Sequence, residues 1–179
     1  MTRDRRTWRS GAWAIFVSAA MLMSPTGAPP RAAEQETFSG LQVPRFVSLK
    51  SDRVNLRAGP SNDYPIKHVF VRRGLPLEIT GETKRWRRVR DMDGEEGWVW
   101  HDMLDGKRML WVRGDGTEAP VLLRDAPNRN APGVALVAPG VIGELEKCQG
   151  NWCLMAAGRI DGWIHKSQVF GVYPDEIVD

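Results

Sequence analysis

One sequence pattern occurs twice in this 179-residue chain, and the repetition constrains the fold more than any other feature. The first copy reads V-N-L-R-A-G-P from Val54, and the second reads V-L-L-R-D-A-P from Val121. In each copy a tryptophan and then a Gly-Trp pair follow, and the first of these tryptophans, Trp86 and Trp152, are 66 residues apart. Self-similarity at a fixed period indicates one structural unit that is used twice. We therefore expect two small domains of similar structure.

Short apolar-polar alternations separated by turn residues fill both copies. Segments such as Val54–Arg57 alternate in the manner of a β-strand, and Gly, Pro, Asp or charged residues bound them. About five or six such strands per copy predict a small barrel or sandwich. We predict an all-β fold of two tandem barrels, at 47–106 and 107–173, with a linker at 34–46 and a tail at 174–179. Because no flexible linker separates the barrels, we expect them to pack against each other.

The first 33 residues have the pattern of an export signal: a basic head, an apolar run over 11–23 and then small and Pro-rich residues up to Ala33. Five arginines and one aspartate give this segment a charge of 5 − 1 = +4. The rest of the chain has 25 − 5 = 20 basic and 22 − 1 = 21 acidic residues. We therefore predict a signal peptide at 1–33 and a periplasmic location, and we expect no nucleic-acid partner. Membrane contact is expected only if the segment stays uncleaved.

The two cysteines have the spacing of a β-hairpin. With Gly150 and Asn151 as the two-residue turn, Cys148 and Cys153 lie directly opposite each other. Such a pair has the geometry that a disulfide needs, and an exported protein supplies the oxidising context. A metal site is the alternative, but a C-x4-C spacing without a second Cys or His pair lacks ligands. We predict a structural disulfide and no metal site.

The first copy resembles a bacterial SH3-like (SH3b) domain in its V-N-L-R-A-G-P segment, in the Tyr64-Pro65 pair of the following loop and in the Trp86 and Gly97-Trp98-Val99 segments. The second copy resembles this family more weakly. The chain is similar in particular to exported two-copy SH3-like proteins of Gram-negative bacteria. The resemblance implies SH3-type β-barrels and a binding role in the cell envelope, often toward cell-wall material or peptides.

Aromatic and basic residues of the first copy are the candidate ligand-binding residues: Tyr64, Trp86, Arg88, Trp98 and Trp100. SH3-like barrels bind through aromatic grooves, but large aromatics in a small barrel are more often core. The core interpretation is favoured for Trp86 and Trp98, whereas Tyr64 and Trp100 fit either role. The basic run at 84–90 could bind an anionic polymer, but nearby acidic residues favour a solvated face.

The second copy departs from the first at informative positions. Asn55, Gly59, Tyr64 and Trp100 of the first copy are replaced by Leu122, Ala126, Ala131 and His165. This loss favours a mainly structural second barrel, with Trp111, Trp152 and Trp163 as packing groups. Gly59 is expected to supply a backbone conformation that other residues resist. At the positions of the cysteine pair the first copy has Glu82 and Arg87, which predicts an opposed, exposed ion pair worth about 0 to 1 kcal/mol.

Catalytic chemistry is poorly represented in the chain. His68, His101 and His165 are its three histidines, and Cys153 with His165 is the one conceivable dyad, which the disulfide would consume. We therefore expect no catalytic site, no metal and no cofactor. The leading hypothesis is an exported, non-enzymatic protein that binds a cell-envelope ligand, peptidoglycan or a peptide, through the first barrel. The alternative is an interaction or scaffold module for another envelope protein or enzyme.

Overall fold

The computed structural model describes residues 38–113 and 116–179, so the signal peptide predicted at 1–33 lies outside the described residues. These residues form fourteen strands and two single-turn 3-10 helices, His101–Met103 and Lys166–Gln168. The first seven strands are β1 (Arg45–Leu49), β2 (Val54–Arg57), β3 (Ile66–Phe70), β4 (Pro76–Glu82), β5 (Trp86–Arg90), β6 (Glu96–Trp100) and β7 (Leu104–Asp105). The second seven are β8 (Met109–Val112), β9 (Val121–Arg124), β10 (Gly133–Val137), β11 (Ile142–Gln149), β12 (Trp152–Ala157), β13 (Ile160–His165) and β14 (Val169–Phe170).

The strands form two seven-stranded antiparallel sheets with the same topology. The order in the first sheet is β3-β2-β6-β5-β4-β1-β7, and in the second it is β10-β9-β13-β12-β11-β8-β14. Each strand of the second sheet thus occupies the place of the strand seven positions earlier in the chain. The prediction of an all-β fold with two tandem barrels, called barrel one and barrel two below, is confirmed. Across the described ranges, no helix has the length and apolar character needed to cross a membrane.

Each barrel encloses its own apolar core, and the repeated residues explain how it closes. Leu56 of β2 and Leu123 of β9 are fully buried at the centres of the two cores. The glycine of each Gly-Trp pair lies against this leucine: a Cβ on Gly97 would come within 2.6 Å of Leu56, and one on Gly162 within 2.7 Å of Leu123. Glycine at these two positions therefore lets the strands approach closely.

The two barrels pack against each other, as the absence of a flexible linker predicted. Trp111 of β8 and Ile142 of β11 pack against the core of barrel one. In return, the Phe46 ring of β1 lies 5.1 Å from the Phe170 ring and 4.7 Å from the Tyr173 ring, centroid to centroid. Of the tryptophans assigned to packing in the second copy, Trp111 is therefore the one at the seam between the barrels.

The residues after β14 join this seam. The Tyr173 hydroxyl donates a 3.0 Å hydrogen bond to the buried Glu78 of barrel one. Burial, and then the Glu78 carboxylate, raise the pKa of Tyr173, so the hydroxyl keeps the proton that it donates. Glu176 pairs with Arg108, and the Val178 carbonyl accepts a 2.7 Å hydrogen bond from the Cys148 N–H. The segment at 174–179 thus packs onto barrel two.

The predicted disulfide hairpin is confirmed in register and bonding. Cys148 pairs with Cys153 and Gln149 with Trp152 across β11 and β12, which leaves Gly150 and Asn151 as the turn. The two cysteines are joined by a disulfide with their Cα atoms 4.0 Å apart. Gly150 has a φ of +56°, a conformation that glycine adopts without steric cost.

The equivalent hairpin of barrel one differs from the expectation in one respect. Glu82 pairs with Arg87 in the predicted register, and their side chains form a 3.1 Å salt bridge. The pair is not exposed, however, because the Glu82 side chain is only 1% accessible. Arg45 also binds the Glu82 carboxylate, and the N–H and hydroxyl of Ser39 each donate a 3.0 Å hydrogen bond to it. The segment before β1 therefore covers the ion pair.

Candidate functional site

Three tryptophans of barrel one lie on the outward side of β5 and β6, and we call Trp86, Trp98 and Trp100 the aromatic face. Val99 is fully buried in the core of barrel one, so its neighbours Trp98 and Trp100 point to the opposite side of the strand. Trp86 is paired with Trp100 across the two strands, and their rings meet edge to face with centroids 5.5 Å apart. The aromatic face is thus a feature of strand alternation, separate from the core.

The favoured core interpretation was wrong for Trp98. This side chain is half-buried on the outward side, and the core of barrel one takes Val99 instead. Trp86 is buried, with 7% accessibility, but it lies beside Trp100 and is not a member of the core cluster. Alternation alone left open which side of β6 faces inward, and the smaller Val99 fills the interior of this narrow barrel.

Neighbouring groups hold the Trp100 ring in place. Its indole N–H donates a 3.1 Å hydrogen bond to Asp102, and the Arg85 guanidinium lies 5.8 Å from its ring centroid. The Trp86 edge contact supports the ring from the neighbouring strand. A half-buried ring fixed in this way loses little conformational freedom when a ligand stacks on it. Asp102 and Arg85 were not identified from the sequence, since both act through contacts that strand alternation does not encode.

The arginines of β5 are paired with carboxylates. Arg88 lies opposite Trp98, and its guanidinium binds Glu96. Arg90 binds the same carboxylate at 2.8 Å. The hydrogen bond from Arg90, together with the nearby Arg88, keeps the pKa of Glu96 below its usual value despite some desolvation. The three arginines of β5 are therefore paired within the barrel, and the charge of Arg88 is partnered by Glu96 beside the aromatic face.

Tyr64 lies in the loop between β2 and β3 and is 46% exposed. Its ring covers Gly59: a Cβ on Gly59 would lie 2.6 Å from three of the ring atoms. Gly59 has no positive φ, so the expected unusual backbone conformation is wrong, and the glycine instead makes room for the tyrosine ring. The Arg57 guanidinium donates to the Tyr64 carbonyl at 2.8 Å, and Arg57 is paired with Trp98 across β2 and β6. Arg57, which was not among the predicted site residues, connects this loop to the aromatic face.

The outward face of barrel two has the same strand register as the aromatic face of barrel one, but different residues occupy it. Trp152 is paired with His165 as Trp86 is with Trp100, and Trp163 is paired with Arg124 as Trp98 is with Arg57. The Trp152 and His165 rings again meet edge to face, with centroids 5.3 Å apart. Next to them is an open cavity of about 330 Å³. Trp152 is therefore a lining residue of a surface cavity, a role that the sequence did not assign to it.

The remaining candidate chemistry is dispersed. His68, His101 and His165 lie on β3, in the first 3-10 helix and on β13, and Cys153 is held in the disulfide. Over residues 38–113 and 116–179, no group of three or more His, Cys, Asp or Glu side chains is arranged to hold a metal ion.

Two small antiparallel barrels that carry ordered aromatic side chains on an outward face define a tandem binding module of SH3 type. A family model described as "Bacterial SH3 domain" matches residues 50–106 and 117–171, which together make up more than half of the chain. The chain therefore belongs to the bacterial SH3 domain family, as the sequence resemblance predicted. Domains of this family are generally cell-wall binding modules and are not catalytic.

Solved structures that match this chain include two proteins from Trichomonas vaginalis. NlpC2 has 12% sequence identity and a TM-score of 0.34, and the match covers 76% of this chain and 51% of NlpC2. NlpC1 has 13% identity and a TM-score of 0.32, with 72% of this chain and 46% of NlpC1 covered. The chain thus spans about half the length of these two proteins. No curated protein matches the chain.

Proposed function

We propose that this chain is an exported, non-enzymatic binding protein whose first barrel engages a cell-envelope ligand, peptidoglycan or a peptide, through Tyr64 and the aromatic face. The observation that carries the proposal is the outward position of Trp98 and Trp100 in a barrel whose core is filled by other residues. Family membership supports a cell-wall ligand, because bacterial SH3 domains are generally cell-wall binding modules.

The chemistry of this surface favours an uncharged or zwitterionic polymer over a polyanion. Trp98, Trp100 and Tyr64 offer apolar rings with polar edges, which stack on sugar rings and peptide planes. Two of the basic side chains beside them, Arg88 and Arg90, share the Glu96 carboxylate. A nucleic acid or another polyanion would have to break these pairs to gain its own contacts, so neither is the proposed ligand.

Each side chain has a distinct role in this proposal. Trp100 provides a stacking platform that Asp102 and Trp86 hold in place. Tyr64 provides a second aromatic surface on the far side of Arg57. Trp86 is buried, so it supports Trp100 without offering a ring of its own. Glu96 fixes the orientation of the Arg88 side chain, whose aliphatic part contacts the ligand.

Co-sedimentation of the purified protein with purified peptidoglycan sacculi tests the proposal. The wild-type protein is expected in the pellet, and the double variant Tyr64→Ala/Trp100→Ala is expected largely in the supernatant while still folded by circular dichroism. Val71→Ala is the matched control, because it removes an exposed apolar side chain of barrel one outside the aromatic face. Equal pelleting of wild type and double variant would remove the aromatic face as the site.

A wild-type protein that stays in the supernatant would favour the alternative function, an interaction module for another envelope protein. Export has its own test: cell fractionation and N-terminal sequencing of the periplasmic protein. We expect a new N-terminus close to Ala33, and an intact N-terminus in the cytoplasmic fraction would contradict export.

A further inference from the structure

The open cavity of barrel two occupies the place where barrel one has Trp100. His165 replaces that tryptophan in the same register, opposite Trp152. An imidazole is much smaller than an indole, so the replacement leaves space at this point of the face. The cavity has a volume of about 330 Å³ and is lined by Leu122, Arg124, Arg129, Trp152, His165, Ser167 and Gln168. This volume falls at the small end of the range for ligand pockets, about 300 to 1,000 Å³.

The charged residues that line this cavity are both arginines. Arg124 is half-buried, and its guanidinium is anchored by a 2.6 Å hydrogen bond to the Ala131 carbonyl. That bond uses one of its five N–H groups. Arg129 is exposed, and within the described residues no carboxylate lies in salt-bridge range of it. Two guanidinium groups without a lining carboxylate favour an anion, and a carboxylate matches their planar geometry.

The imidazole adds a donor to the same site. The Ser167 N–H donates to the Nδ1 atom of His165 at 3.3 Å. The Ser167 hydroxyl lies 2.7 Å from the same atom, and when Nδ1 accepts from Ser167 the neutral ring carries its proton on Nε2. In this tautomer His165 is a hydrogen-bond donor through Nε2, which suits a ligand rich in acceptor oxygens.

An apolar surface continues from the cavity. Leu122 lines it and is 39% exposed, and its cross-strand partner Leu136 is 66% exposed. Barrel one has Asn55 and Val69 in the equivalent register. Leu122 beside Trp152 in the cavity, with Leu136 next to Leu122 on the outward face, favours a ligand with an aliphatic group. The change from Asn55 to Leu122 thus has a physical consequence: it makes the rim of this site apolar.

We propose that barrel two has a ligand site of its own, which binds a small carboxylate that carries an aliphatic group. Arg129 and the free edge of Arg124 bind the carboxylate, and Leu122 and Trp152 contact the aliphatic group. This site is distinct from the aromatic face of barrel one and takes a ligand of different charge. The second barrel is then a binding domain and not only a support for the first.

Titration of the purified protein with N-acetylleucine, monitored by two-dimensional NMR, tests the site. The Trp152 indole N–H signal, assigned with Trp152→Phe, is expected to shift saturably with the acid. N-acetylleucinamide is the matched probe without the charge, and we expect it to bind at least about tenfold more weakly, the value of one charge-assisted hydrogen bond. Equal affinities for the two probes, or no saturable shift with the acid, would overturn the proposal.

Substitutions separate this site from that of barrel one. Arg129→Gln is expected to weaken N-acetylleucine binding about tenfold. Arg159→Gln is the control, because it removes an exposed arginine of the same barrel outside the cavity, and it should leave the affinity unchanged. Trp100→Ala should also leave this titration unchanged, whatever it does to pelleting with sacculi. Loss of N-acetylleucine binding in Trp100→Ala, or full binding in Arg129→Gln, would contradict the site.

Discussion

The hairpin β4–β5 of barrel one and the hairpin β11–β12 of barrel two occupy the same place in their sheets, but different interactions close them. Barrel two uses the covalent bond between Cys148 and Cys153, and barrel one uses the ion pair between Glu82 and Arg87 in the same register. The two cysteine sulfurs of a disulfide need no further bonding partners. A buried carboxylate needs partners for all of its lone pairs, so Glu82 also binds Arg45 and Ser39.

Because of this difference, different segments of the chain bind to the two hairpins. In barrel one the segment before β1 and the first residue of β1 are fixed to the hairpin, because Ser39 and Arg45 both bind Glu82. In barrel two the hairpin instead receives the end of the chain, since the Cys148 N–H bonds to the Val178 carbonyl. The same sheet therefore acquires different neighbours at one hairpin, and the stability of barrel one depends on residues that the sequence assigned to a linker.

Replacement of Glu82 by alanine should have the largest effect on this comparison. The substitution removes the carboxylate that Arg45, Arg87 and Ser39 share, and we expect a loss of about 3 kcal/mol in the free energy of unfolding. Urea unfolding measures the loss, and amide hydrogen exchange in β4 and β5 locates it. Asp52→Ala, an exposed acidic residue of the same barrel, is the control and should cost little. A similar cost for both variants would show that the ion pair contributes no more than an exposed one.

Removal of the disulfide should have the next largest effect, and it should act on the other barrel. A loop of six residues is worth about 2 kcal/mol in the chain-entropy model, so Cys148→Ala/Cys153→Ala is expected to lower the free energy of unfolding by that amount or slightly more. Faster amide exchange should appear in β11 and β12 and not in β4 and β5. Reducing agent should destabilise the wild type and leave the double variant unchanged. If reducing agent also destabilised the double variant, its effect on the wild type could not be assigned to the disulfide.

The hairpins also show what the sequence could and could not predict. The repeat, the strand alternation and the cysteine spacing are local patterns, and they predicted the two barrels and the Cys148–Cys153 pair, although each sheet has seven strands and not the five or six expected. The partners of Glu82 were not predictable, since Ser39 is 43 residues away from it and an ion pair leaves no local pattern. The same holds for the hydrogen bond from Tyr173 to Glu78 across 95 residues.

Side-chain direction was a second limit of the sequence. Alternation predicted that Val99 and the two flanking tryptophans face opposite sides, but not which side is inward. Size favoured tryptophan for the core, and the structure places Val99 there, because neighbouring side chains already fill this narrow interior. The cavity of barrel two was also outside the reach of sequence analysis, because it arises from space left by His165 and not from a motif.

The loop after β2 offers a smaller, more local way to sharpen the comparison of the two barrels. Gly59 and Tyr64 of barrel one become Ala126 and Ala131 in barrel two, and the structure explains why they change together. Gly59→Ala places a methyl group 2.6 Å from the Tyr64 ring, and we expect a loss of about 1 kcal/mol. The double variant Gly59→Ala/Tyr64→Ala should lose less than the sum of its single variants in a double-mutant cycle. If the losses in the free energy of unfolding, measured with urea, were additive, Gly59 and Tyr64 would not be coupled.

The smallest expected effect is a difference in acid sensitivity. Burial raises the pKa of Glu82, but hydrogen bonds from Arg45 and Ser39 outweigh it and leave the pKa below its ordinary value of 4.5. A carboxyl group with a depressed pKa in the folded state stabilises the protein fully above its unfolded pKa and loses that contribution as pH falls through the folded pKa. Glu82→Gln lacks the titrating group, whereas the disulfide of barrel two does not titrate at all.

The wild-type midpoint for urea unfolding should therefore fall more steeply below about pH 4.5 than the midpoint of Glu82→Gln. Glu176→Gln is the matched variant in barrel two. Burial raises the pKa of Glu176, but Arg108, the hydrogen bond from the Tyr173 N–H and the nearby Lys166 together lower it by more, so its net pKa shift has the same sign. Hydrogen exchange should then show that the Glu82 contribution is lost from β4 and β5, and that the Glu176 contribution is lost from the seam. Parallel acid profiles for wild type and Glu82→Gln would mean that the carboxylate can be replaced by a neutral hydrogen-bonding group, and that charge is not what closes this hairpin.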